Sequence, residues 1–123
     1  MLFSDYQDIL SQFKNFNHAI IEKYETGPRQ ELTLYLRPLL WKGSSGFHST
    51  ELTKLRFGGI SDLADAKQFL DTFYNLEIAF IRFNPDSKKM QLIIEIAAER
   101  TDESVQFQCR NISIENPPNL DAL

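Results

Sequence analysis

Glu31-Leu32-Thr33-Leu34-Tyr35-Leu36-Arg37 is the stretch on which the fold turns. Leu32, Leu34 and Leu36 alternate with polar or mixed residues, the period of a strand with one face in the core. Upstream, Thr26-Gly27-Pro28-Arg29 is a turn signal. A strand over residues 18–25 would complete a hairpin. The alternative is one long helix from the N-terminus through Ile20, Ile21 and Tyr24, which keep helical spacing. Asn15-Phe16-Asn17 favours a break, because Asn side chains compete for helical hydrogen bonds. A short N-terminal helix then precedes the strand, started by Ser4 and Gln7 as a capping box, with Tyr6, Ile9, Leu10 and Phe13 on one face.

Downstream, Pro38 marks a strand end, and Leu39-Leu40-Trp41 extends the element. Residues 42–50 (Lys-Gly-Ser-Ser-Gly-Phe-His-Ser-Thr) read as a flexible loop. A third strand is expected over 51–57, ended by Gly58-Gly59. Ser61 then caps a helix over 62–74, with Leu63, Ala66, Phe69, Leu70 and Phe73 as its apolar stripe. Strands follow over 77–83 and 89–98, joined by a turn at 84–88. In a last strand over 104–114, Val105, Phe107 and Cys109 take one parity and Ile112 and Ile114 the other, which asks for a bulge near Arg110-Asn111. Residues 116–123, with Pro117-Pro118, read as a tail to a single domain over 1–115. The expected class is α+β: a mainly antiparallel sheet of five to six strands, an N-terminal helix, and one helix between the third and fourth strands.

Composition excludes more than it identifies. The chain has 123 residues, 42% of them hydrophobic, with 13 Lys+Arg against 17 Asp+Glu. A net charge of −4 argues against nucleic acid as a partner. Residues 1–60 sum to +1 and residues 61–123 to −5, so the second half can face a basic partner. No apolar run reaches the roughly 20 residues of a membrane helix. One Cys and no secretory signal suggest the cytoplasm.

Catalytic signals are weak. Gly43-Ser44-Ser45-Gly46-Phe47 fails the Gly-x-Ser-x-Gly elbow at its last position. There is no phosphate-binding glycine motif. His48/Glu51 and Asp62/Asp65 lack a third ligand in spacing, so neither a metal nor another cofactor is expected. Cys109 sits in an apolar alternation and reads as an inert buried thiol. The expectation is a non-enzyme. Trp41, Phe47 and His48, bracketing the loop, are the candidate binding contacts, since large rigid aromatics dominate binding hot spots.

Phe16-Asn17-His18-Ala19, the strand with Leu32, Leu34 and Leu36, and Leu55-Arg56-Phe57-Gly58-Gly59-Ile60-Ser61-Asp62-Leu63 together resemble small bacterial uncharacterised or immunity-protein-like families. Those families pair a "His or Asp, small, x, Ile" strand with a later "Leu-x-Phe-x-Gly-Val-x-x-Leu" strand end, and Ile60 stands here for the Val. The resemblance covers residues 16–63 and consists of sheet-core positions. It implies a protein that binds and neutralises a partner without catalysis, and it carries over no contact residue. Two other readings stand beside it. One is a small-molecule site or enzyme in a cleft between sheet and helix using His18, Glu95 or Cys109. The other is self-association through a sheet edge.

Overall fold

Leu34 lies between Tyr24 and Leu55 across two antiparallel ladders, and Leu55 continues to Ile114. In the next row, Leu32 faces Phe57, which faces Ile112. This register puts Leu32, Leu34, Leu36, Leu55 and Phe57 on one face, all fully buried. The computed structural model describes residues 16–72, 77–86 and 91–115.

Nine strands and one helix make up the described chain. They are β1 (Ile20–Gly27), β2 (Glu31–Arg37), β3 (Leu39–Lys42), β4 (Ser45–His48), β5 (Thr53–Gly58), α1 (Leu63–Thr72), β6 (Ile78–Asp86), β7 (Gln91–Ala98), β8 (Ser104–Cys109) and β9 (Asn111–Glu115). They form a four-stranded sheet (β1-β2-β5-β9), a three-stranded sheet (β6-β7-β8) and the two-stranded ribbon β3-β4, with every pairing antiparallel.

The two larger sheets join at two seams. At one, the His18 amide donates to the Ile78 carbonyl and the Ile78 amide to the Ala19 carbonyl (both 2.9 Å). At the other, the Arg110 amide donates to Gly58 (2.9 Å) and the Ser61 amide to Gln108 (3.0 Å), so the end of β5 follows β9 back onto β8. The strands therefore close in the order β1-β2-β5-β9/β8-β7-β6 and return toward β1. This arrangement removes most of the exposed edge. The expected bulge at Arg110-Asn111 is the sheet-to-sheet switch: β8 ends at Cys109, β9 begins at Asn111, and both Cys109 and Ile112 are buried.

The α+β expectation is corrected by this architecture. One ten-residue helix accompanies nine strands in three sheets among the described residues, so the protein is mostly sheet. The helix does follow the strand expected over 51–57 and precede the one expected over 77–83, but these are the fifth and sixth of nine strands, β5 and β6. The N-terminal helix from Ser4, the tail at 116–123 and the helix end at 73–74 fall outside the described residues. After a turn in which the Ala19 amide donates to Phe16 (3.1 Å), the segment following Asn17 enters β1 at Ile20, as strand.

The strand undercount has two physical sources: the strand expected over 104–114 divides into β8 and β9, and residues 42–50 form part of a ribbon. Lys42 pairs with Ser45, leaving Gly43-Ser44 as a two-residue turn. Gly43 has φ +62°, the left-handed geometry that a hairpin turn of the II′ kind takes at its first central position. A Gly- and Ser-rich stretch thus serves as a tight turn between β3 and β4. Likewise Asn84, Pro85 and Asp86 continue β6 where a turn was expected.

Helix α1 buries Ala66, Phe69 and Leu70, as its stripe predicts. Ser61 does not act as a simple cap. Its hydroxyl donates to Asp62 and accepts from the Gln108 amide (3.2 Å each), tying the helix entry to β8.

The Thr53 hydroxyl is fully buried with no hydrogen-bond partner among the described residues. An unmade buried hydrogen bond costs about 1–3 kcal/mol. Thr53→Val keeps the shape and deletes the orphan. Chemical denaturation should show it about 1 kcal/mol more stable than wild type; a loss of stability would mean the hydroxyl is satisfied in solution.

Candidate functional site

Trp41 and Phe47 are the exposed large hydrophobic side chains of the described residues, at 47% and 39%. Both stand on the β3-β4 ribbon. The register separates them: Trp41 pairs with Gly46 and Leu39 with His48 on one face, while Phe47 pairs with Leu40 on the other. Leu40 is buried, so Phe47 extends from the core side and Trp41 and His48 from the outer side. A Cβ at Gly46 would stand 3.1–3.4 Å from three Trp41 ring atoms, so glycine lets the indole lie close against the opposite strand.

The base of the ribbon is anchored at several points. The Ser49 amide donates to Pro38 (2.9 Å). Arg37 donates to the Ser49 and Thr50 carbonyls (3.3 and 2.5 Å) and pairs with Glu22 (2.6 Å). His48 Nε2 donates to the carbonyl of His18 (2.9 Å).

That last bond brings the two histidines together, which their positions in the sequence did not suggest. His18 holds φ +62° and Phe16 φ +56°. Non-glycine residues are uncommon in this region. The turn aims His18 Nδ1 at Glu99 (3.2 Å) and Glu77 (3.5 Å). All three side chains are partly exposed, so the pairs add little stability. They do leave two carboxylates beside one imidazole at the foot of the aromatic ribbon. Among the described residues, no group of three His, Cys, Asp or Glu side chains is disposed to hold a metal ion. No helix among them is long and apolar enough to cross a membrane.

The residues of the cleft reading do not converge. Cys109 lies inward with Val105 and Phe107. Glu95 shares β7 with the inward Ile94 and Ile96 but takes the opposite parity, pairing with Arg82 across the ladder (Nη1–Oε1 3.4 Å). These two groups therefore lie on opposite faces of one sheet, and His18 lies at the seam.

Burial alone pushes the Cys109 thiol from 9.0 to about 12. The thiol is a poor nucleophile in the folded state. Above pH 9 the unfolded chain releases this proton while the folded chain keeps it. Stability therefore falls with rising pH, by about 1.4 kcal/mol per unit, until pH approaches the folded value. Urea midpoints at pH 9, 10 and 11 should fall more steeply for wild type than for Cys109→Val. Parallel slopes would place the thiol in contact with water.

No family model, curated protein or solved structure matches the chain.

Proposed function

We propose that the protein is a non-enzymatic protein-binding module that grips a basic partner with the β3-β4 ribbon. The observation that carries this reading is the exposure of Trp41 and Phe47 on one short, firmly anchored ribbon. Partly exposed aromatics on a rigid support are favoured binding anchors. Glu77 and Glu99, beside His18 at the ribbon's foot, supply the complementary charge. The resemblance of residues 16–63 to immunity-protein-like families adds a mode of action: the partner is held and neutralised by shape and charge, with no chemistry performed on it.

A photo-crosslinking amino acid at Ser44, in the ribbon turn, tests this in the cells that make the protein. One dominant adduct with a basic protein is expected from Ser44, and none from a second probe at Lys67 on the exposed side of α1. Equal adducts from both positions, or none from Ser44, would sink the reading.

A further inference from the structure

The edge of β8 is only half covered. In the β7-β8 ladder, Gln108 faces Ile93, Gln106 faces Glu95 and Ser104 faces Ala97. Both backbone groups of Gln108 turn away from β7 and bond to Ser61, its amide to the hydroxyl (3.2 Å) and its carbonyl to the amide (3.0 Å). Alternation along an antiparallel ladder makes Gln106 and Ser104 turn the same way. Beyond Ser61, however, the chain rises into α1. No backbone partner among the described residues meets the outward N–H and C=O of Gln106 and Ser104.

Ser104 and Gln106 also line a groove of about 380 Å³ between α1 and the start of β8. Phe69 and Val105 are its apolar lining, and Asp65 from α1 and Glu103 ahead of β8 are its charged lining. Neither carboxylate makes an ion pair among the described residues. Gln68 and Thr72 complete the helix side.

We infer that this groove is a second binding surface, which takes an extended peptide bearing lysine or arginine as an added strand on β8. The backbone requirement follows from two outward donor–acceptor pairs at strand spacing, the arrangement used in strand addition to an open sheet edge. The charge requirement follows from Asp65 and Glu103, which give the groove one sign. That sign disfavours a second copy of this chain, whose own β8 edge would bring Asp65 and Glu103 against Asp65 and Glu103. This surface is independent of the β3-β4 ribbon.

The probe is a fluorescein-labelled acetyl-Lys-Val-Lys-Val-Lys amide, titrated into the full chain by anisotropy and by amide chemical shifts. Saturable binding with Kd at or below about 1 mM is expected, with the largest shifts at Ser104–Gln106. N-methylation of all five residues removes the backbone N–H donors on both sides of the extended peptide and should weaken binding about tenfold. The double variant Asp65→Lys, Glu103→Lys should weaken it about threefold or more and flatten its salt dependence. Gln106→Pro removes an outward N–H without breaking a β7-β8 bond, and should also weaken it. If that variant fails to fold, the N-methylated peptide makes the same test on the wild-type chain. Trp41→Ala should leave the peptide Kd unchanged, so failure here and failure of the ribbon reading are separate results. The inference is overturned by equal binding of the methylated peptide, by shifts confined elsewhere, or by no saturation up to about 1 mM. Shifts at 104–106 that depend on protein concentration alone would also overturn it, and would assign the edge to self-association.

Discussion

Phe57→Ala is expected to cost about 3–5 kcal/mol, a large effect for a single truncation. Phe57 is fully buried on β5, in the four-stranded sheet. Its ring meets Phe107 of β8 edge-on, with centroids 5.4 Å apart and planes at 81°. It also lies 6.4 Å from Phe83 of β6 at 33°. Both neighbours belong to the three-stranded sheet, so one ring joins the two layers. Truncation removes that bridge and leaves a void with rigid strands on either side, which collapse poorly into it. Domains of this size are stable by only about 5–15 kcal/mol, so the loss is a large share of the total. Urea denaturation should show a strongly lowered midpoint for Phe57→Ala. Phe57→Leu should fall between it and wild type, and Phe47→Ala, at a half-exposed site, should change stability much less. A Phe57→Ala protein within about 1 kcal/mol of wild type would mean that the two sheets are not joined through this ring.

How much of this was legible follows from how far apart the cooperating residues are. Leu32, Leu34 and Leu36 announce their strand because the period is local. The α1 stripe at Ala66, Phe69 and Leu70 is local in the same way. The parity change between Cys109 and Ile112 marks a place where the chain must bend, and that bend is the switch between sheets. The β3-β4 ribbon was hidden because Gly43-Ser44-Ser45-Gly46 has the composition of a loop. Only the pairing of Lys42 with Ser45 makes it a hairpin. Missing that ribbon and weighting a helix on residues 1–15 produced the α+β expectation. Trp41, Phe47 and His48 were legible as a group by proximity, but strand parity, known only once the ribbon is known, divides them between two faces. The cluster of His18, Glu77 and Glu99 had no sequence signal. Glu77 and Glu99 flank the open end of the β6-β7 ladder, and His18 joins them because β1 and β6 share a seam.

Trp41→Ala is expected to weaken partner binding by 2 kcal/mol or more, about thirtyfold, while leaving the fold intact. The indole is 47% exposed, so its truncation removes little buried surface from the core. What it removes is the largest apolar surface on the outer face of the ribbon, held in place by its contact with Gly46. Phe47→Ala is the second arm. Phe47 is the less exposed anchor and shares a face with buried Leu40, so its loss should weaken binding less than Trp41→Ala does and cost a little of the ribbon's attachment as well. Gly46→Ala supplies a third arm: the new methyl would stand 3.1–3.4 Å from the indole, which must shift slightly to make room, so a smaller loss of binding than for Trp41→Ala is expected with every Trp41 atom still present. Glu99→Lys tests the electrostatic contribution. It should lower the association rate and its salt dependence more than it raises the dissociation rate, because charges near a binding site act mainly on encounter. Surface plasmon resonance with the partner recovered by crosslinking separates these terms. A Trp41→Ala protein that binds as wild type would show that the ribbon is not the gripping surface.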